Sequence, residues 1–404
     1  MPVGLNPPSF IPPVAGIRLA SAAAGIRKPD RQDLVLLEVA PGTECAAVFT
    51  RNRFRAAPVE VALAHLAAAN PRALLINTGY ANAGTGEAGR RDAQACCEAL
   101  AAELDCRPDE VLPFSTGVIG EPLPLPPIRA ALPGLIGDLS ADAWVEAARG
   151  IMTTDTVPKA ASRRLEIGGR PVTVSGIAKG AGMIRPDMAT MLAFVATDAG
   201  VPGGDLDTLL REAVGQSFNR ISVDGDTSTN DACCLLATGA TGVAASPGSE
   251  AWERLRRAVT EVCVELAQAI VRDGEGATKF ITIRVEEAAG PEEARAVAGA
   301  VAHSPLVKTA FYASDPNWGR ILAAVGRAGI DDLEIAGVRI ALNDVVIVSR
   351  GGRDPCYTEE AGQRAMDAEE ITVRIDLGRG RDRAVLWTCD LSHGYVSINA
   401  EYRT

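Results

Sequence analysis

Residues 175–199 read SGIAKGAGMIRPDMATMLAFVATDA: a glycine-rich loop carrying one lysine, then a lone threonine, Thr190, then an apolar run. Gly176, Gly180 and Gly182 let the backbone turn tightly and approach other groups closely, with Lys179 among them. The run after Thr190 has the length of a buried strand, and periodicity alone leaves a short helix open. A threonine hydroxyl does not attack a carbonyl at neutral pH unless a base takes its proton. An N-terminal threonine carries that base in its own α-amine, with a pKa of about 7.7–8.0. Thr190 is internal, so its amine is released only if the Ala189–Thr190 bond breaks, and self-cleavage is part of any such reading. The plainer reading is a glycine turn feeding a core strand.

Working outward, the flanking pattern is mixed α and β. Residues 34–39, 46–50 and 73–76 read as strands, the last running into NTGYANAGTGEAG and then a helix over 90–104. That glycine- and asparagine-rich stretch lacks the GK[ST] ending of a phosphate-binding loop and reads as a turn. Residues 111–114 read as a strand, 121–133 (EPLPLPPIRAALP) as a proline-rich surface connection, 141–150 as a helix and 172–177 as the strand entering the glycine loop. Beyond Thr190 the pattern predicts helices over 205–216 and 250–271, and strands over 232–238, 280–286, 338–348, 371–377 and 384–388.

At 404 residues the chain exceeds the size at which single cores stop growing, so two or more structural units are expected. A net charge of −11 speaks against a nucleic-acid or anionic-membrane surface and for a small-molecule partner. No run of about 18 apolar residues appears, and the start MPVGLNPPSFIPPVAG lacks the pattern of a signal peptide, so a cytoplasmic setting is expected. The nine cysteines form no CxxC pair and only three histidines are available, which predicts neither a structural metal nor a disulfide scaffold.

Seven segments carry a more specific signal: STGVIG at 115–120, IMTTDTVPK at 151–159, KGAGMIRPDMATMLAF at 179–194, SFNRISVDGDTSTND at 217–231, DGEGATK at 273–279, VKTAFYASDPNWGRI at 307–321, and NAEYRT at 399–404. Together and in this order they resemble the ornithine acetyltransferase (glutamate N-acetyltransferase) family, self-processing enzymes of arginine biosynthesis. The resemblance implies an N-terminal-nucleophile-like α/β sandwich of sheets and helices. It also implies cleavage into an alpha chain, 1–189, and a beta chain, 190–404, which assemble as paired heterodimers.

It further implies roles for individual residues. Thr190 is the nucleophile, and Thr116 and Gly117 form the oxyanion pair. Without the resemblance, Ser115-Thr116-Gly117 reads as an ordinary turn after a strand. Substrate contacts fall on Thr153, Lys179, Thr190, Glu275, Asn399 and Thr404. Thr154 and Thr156 compete with Thr153, whose plain role is helix capping. Asp273 competes with Glu275, a carboxylate between two glycines suited to a substrate ammonium group. Asn399 and Thr404 sit in a tail where disorder is the ordinary expectation. SDPNWGR at 314–320 marks the family and otherwise reads as a turn. The sequence departs from the family pattern at Arg185, where a small residue is usual, which bears on how the loop is held before cleavage.

The implied chemistry has two stages. Thr190 first attacks the Ala189 carbonyl, and the resulting ester is hydrolysed. The freed amine then assists the same hydroxyl in taking an acetyl group from N-acetylornithine and passing it to glutamate, with no cofactor or metal. Acetyl-CoA as a further donor stays open. So do an aminopeptidase or amidase using the same threonine with water, and a non-catalytic binding protein of the same fold.

Overall fold

The apolar run after residue 190 is a strand, Leu192–Thr197, buried at every position and paired on both sides. Antiparallel to it lies Arg170–Lys179, and parallel to it lies Ala232–Ala237. A central strand covered on both faces has no need of alternation, which is why periodicity left its type open. The computed structural model describes residues 2–185 and 191–401. These fall into two units. One spans Asn6–Asn219 and Asp226–Ile270, and the other takes in the chain up to Leu5, Arg220–Gly225 and everything from Val271 onward.

In the larger unit, the sheet around Leu192–Thr197 has five strands in the order Glu44–Phe49, Ala232–Ala237, Leu192–Thr197, Arg170–Lys179, Lys159–Ile167. A second sheet has four: Ile17–Ala22, Leu34–Val39, Ala73–Tyr80 and Val111–Val118. Alternating side chains divide the second sheet's two faces. Val35, Leu37, Leu74, Ile76 and Phe114 pack against Ile177, Phe194 and Leu236 of the first sheet, with Phe114 and Phe194 edge to face at 5.1 Å. Leu34, Leu36 and Leu75 face the helices Gly86–Leu104 and Leu125–Gly137 on the opposite side. The outer face of the five-stranded sheet is covered by Gly203–Gln216 and Glu250–Arg272. There Gly176 lies so close to Val262 and Leu266 of the long helix that a Cβ would sit 3.2 Å from each. Gly176 therefore serves helix–sheet contact within a strand rather than a turn. The layers run helix, sheet, sheet, helix: the mixed α/β sandwich the sequence leads one to expect.

The smaller unit is a seven-stranded sheet in the order Gly352–Arg353, Val345–Ser349, Arg339–Leu342, Glu370–Asp376, Phe280–Ala288, Asp382–Cys389, Ile221–Ser222. Helices Pro291–Ala302, Pro305–Tyr312 and Trp318–Gly326 contribute to its apolar core.

Three expectations change. The proline-rich 121–133 stretch is not a connection, because it runs into the helix Leu125–Gly137. Pro126 and Pro127 occupy its first turn, where no amide bond is lost, and Ile128, Leu132 and Leu135 form its buried stripe. The single strand over 338–348 is a hairpin, broken at Asn343, which adopts φ 49°. The strands Ile17–Ala22 and Lys159–Ile167 went unread; the second alternates buried and half-exposed residues around arginines that hide its period.

Candidate active site

The Ser115-Thr116-Gly117 segment is the end of the strand Val111–Val118 and not a turn after it. It runs parallel to Ala73–Tyr80 in register, Thr78 opposite Thr116 and Gly79 opposite Gly117, until the pairing slips at Tyr80. The two glycines meet there. Gly117 has φ 136°, and a Cβ on it would lie 2.3 Å from the Gly79 carbonyl carbon, so no other residue fits without moving the backbone. Ser115 Oγ donates to Asn77 Oδ1 at 2.6 Å, and Asn77 Nδ2 donates to the Tyr80 carbonyl at 3.0 Å, which braces the slip. Thr116 is buried, and its hydroxyl takes no partner among the described residues.

Lys179 ends its strand directly opposite Leu192, so antiparallel pairing brings it back to the start of the strand that Thr190 leads into. Its ammonium donates to Thr153 Oγ1 at 3.1 Å, while Thr154 is half-buried and Thr156 exposed. Thr153 lies beyond the C-terminal cap of the helix Trp144–Gly150 rather than at the start of a helix. Arg31 Nη2 donates to the carbonyls of Met152 and Thr153 at 2.6 and 2.7 Å.

Beneath this pair sits Asp155, its side chain fully enclosed. Its Oδ1 accepts from Lys159 Nζ at 2.6 Å and from the Gly180 amide at 2.7 Å, and its Oδ2 accepts from the Thr153 amide at 3.0 Å. Burial pushes the Asp155 carboxyl pKa up, but the Lys159 and Lys179 cations and the Gly180 amide outweigh it and hold the group well below the usual carboxylate range. Asp155 thus binds the backbones on both sides of the Thr153–Lys179 contact. Sequence reading passed over it and Lys159, although both lie in the quoted IMTTDTVPK. The motif shows an acid four residues before a lysine, and only the fold shows that both are buried.

In the smaller unit, Glu275 is buried, and Asn399 Nδ2 donates to its Oε2 at 2.7 Å. Asp273 is buried too. Asn399 belongs to the helix His393–Ala400, so this part of the tail is ordered against the expectation for chain ends. Ser392 Oγ donates to the Gly276 carbonyl at 2.6 Å, and Tyr395 Oη donates to Asp224 Oδ2 at 3.2 Å. Gly276 has φ 70°, and a Cβ there would lie 2.5 Å from the Tyr395 amide, so the DGEGATK loop needs its glycine beneath this helix. In SDPNWGR, Asn317 Oδ1 caps the helix Trp318–Gly326 by accepting from the Arg320 amide at 3.1 Å, a structural role. Ala189, Thr190 and Thr404 lie outside the described residues. Among the described residues no helix is long and apolar enough to cross a membrane, and no group of three His, Cys, Asp or Glu side chains is gathered as a metal site.

Two sheets packed face to face between helix layers, with a backbone slip at facing glycines and a lysine–threonine contact opposite Leu192, define an α/β sandwich of the kind expected for N-terminal nucleophiles. The ArgJ family model matches residues 18–404. The arginine biosynthesis bifunctional protein ArgJ of Methylococcus capsulatus is 63% identical over 393 residues, covering 97% of this chain and 96% of that protein. The chain belongs to the ArgJ family. Among solved structures, the arginine biosynthesis bifunctional protein argJ of Bacillus halodurans is 38% identical, covering 51% of this chain and 97% of that one, with a TM-score of 0.49. The ornithine acetyltransferase of Mycobacterium tuberculosis, solved with ornithine, is also 38% identical, covering 43% of this chain and 93% of that one, with a TM-score of 0.39.

Proposed function

We propose that this chain is a glutamate N-acetyltransferase of arginine biosynthesis that cuts itself between Ala189 and Thr190 and then carries an acetyl group on Thr190 from N2-acetylornithine to glutamate. The observation that carries the reading is the register of Lys179 with Leu192. It brings the lysine and the Thr153 hydroxyl back to the start of the strand that Thr190 leads into. Near-full-length likeness to an arginine biosynthesis ArgJ supports it.

In the cleavage step, Thr190 Oγ attacks the Ala189 carbonyl, its proton passing to the departing amine. Water then hydrolyses the ester to give 1–189 and 190–404. In the transfer step, the free Thr190 amine takes the hydroxyl proton as Oγ attacks the acetyl carbonyl of N2-acetylornithine. The proton goes to the leaving ornithine amine, and an acetyl-threonine ester remains. The glutamate amine attacks this ester, and Thr190 recovers its proton. Negative charge on the acetyl oxygen rests on Thr116 and Gly117, whose rigid backbone suits a pre-oriented oxyanion site. Both substrates carry an α-carboxylate, which suits the Lys179 ammonium and the Thr153 hydroxyl; the Glu275 carboxylate suits an ornithine ammonium group, and the family resemblance adds Asn399 and Thr404 to the substrate contacts. The two chains pair into a heterotetramer, and nine free thiols suit the cytoplasm. Acetyl-CoA serves as a second donor.

Incubation with N2-acetylornithine, with and without glutamate, tests the reading. Acetylglutamate formed only with both substrates is the expected result. Ornithine released at the same rate without glutamate would mean an amidase, and an intact mass that never splits at Ala189/Thr190 would mean a binding protein. Glutamate with acetyl-CoA alone tests the second donor.

A further inference from the structure

The TSTND loop at 227–231 leads into the strand Ala232–Ala237, and its backbone is held from one side. Thr50 and Ala56 amides donate to the carbonyls of Asp231 and Thr229 at 3.0 and 2.9 Å, and Asn52 Nδ2 donates to the Thr227 carbonyl at 3.0 Å. From this fixed loop the buried Asn230 side chain reaches the other sheet. Its Nδ2 donates to the carbonyls of Ala81 at 2.6 Å and Ser115 at 2.9 Å, and its Oδ1 accepts from Thr229 Oγ1 at 2.6 Å, so each end of the amide is used.

The Ser115 carbonyl belongs to the same peptide plane as the Thr116 N–H. In a planar trans peptide the two point in opposite directions, so holding the carbonyl sets where the Thr116 amide points. At its other end, Asn230 is two residues before Ala232. The Ala232 amide donates to the Met191 carbonyl at 3.0 Å, and Ala232 pairs with Leu192. One side chain therefore ties the segment bearing Thr116 and Gly117 to the strand that leads away from residue 190.

We propose that Asn230 is a positioning residue: it touches no substrate, and it fixes the strand end that carries the Thr116 hydroxyl and the Gly117 backbone against the strand that Thr190 leads into. This rests on the preceding reading of those residues as oxyanion pair and nucleophile. Cleavage and acetyl transfer share that geometry, so both should suffer together.

The test compares wild type, N230A, T116A and the double variant. Chain cleavage is followed by intact mass, and kcat and KM for acetyl transfer are measured below the melting temperature of each. N230A should cleave and turn over about 10- to 100-fold more slowly, with KM changed less than about threefold, since the charge it serves exists only in the transition state. The double variant should lose less than the product of the single losses, because both act on one site. A purely structural role would lower the melting temperature and leave kcat of the folded enzyme near wild type, which overturns the proposal. Fully multiplicative losses also overturn it. If N230A does not fold, N230S and N230D are measured in its place, and loss of the fold in all three assigns Asn230 to stability alone. Wild type that neither cleaves nor transfers acetyl would instead sink the functional reading.

Discussion

Gly117 offers a single-methyl test of the proposed oxyanion pair. A Cβ there collides with the Gly79 backbone, so G117A must displace one strand end from the other. Losing one donor of such a site typically costs about 10²–10³ in rate, and G117A should slow chain cleavage by at least that order in an intact-mass time course. Asp155 has a different signature. D155N leaves Lys159 buried without its partner and should destabilise the protein by about 3–5 kcal/mol at neutral pH in urea unfolding, with part regained in D155N/K159M. The sign with pH follows from the depressed folded-state pKa. The stabilisation is complete above the unfolded carboxylate value of about 3.9 and is lost as pH falls through the lower folded value. The gap between wild type and D155N should thus stay level from about pH 5 upward and close only in strong acid. None of this was legible in the motif IMTTDTVPK, because an acid among threonines looks solvated until the fold puts Lys159 and the Gly180 amide against it.

Between elements, the proposed cut falls between two neighbouring strands of one sheet. Arg170–Lys179 would belong to the first chain and Leu192–Thr197 to the second, and the pairing of Glu44–Phe49 with Ala232–Ala237 crosses the same divide. The products should co-elute in size-exclusion chromatography after cleavage and separate only in denaturant; separation under native conditions would contradict the pairing. The C-terminal helix His393–Ala400 buries none of its residues and is held by the polar contacts of Ser392, Tyr395 and Asn399. Deleting residues 399–404 should raise KM for N2-acetylornithine while leaving cleavage intact, and unchanged steady-state kinetics would remove the tail from the site. Strand edges were mostly read within a few residues. The helix hidden in EPLPLPPIRAALP was missed because proline in a first turn is compatible with helix, although the same residue inside one usually ends it.

Over the whole molecule, nine cysteines are unpaired, and the fold decides their reactivity. Burial pushes the Cys96 and Cys263 thiols up to about 12 and raises that of Cys233, a hydrogen bond with Cys45 together with burial raises that of Cys234, and Cys356 is exposed. Iodoacetamide at pH 8 should modify Cys356 first, Cys106 more slowly, and all nine only in denaturant, as read by mass. The sequence alone decided what depends on near neighbours: apolar runs long enough for strands, helix spans with amphipathic stripes, and seven segments whose order named a family. Tertiary structure alone decided what joins distant residues: that the run after Thr190 is a strand, that Lys179 meets Thr153, that Asp155 lies beneath both, and that Asn230 reaches Ser115. A hydrogen bond between residues 115 positions apart leaves no local pattern, and only packing of two sheets against each other creates it.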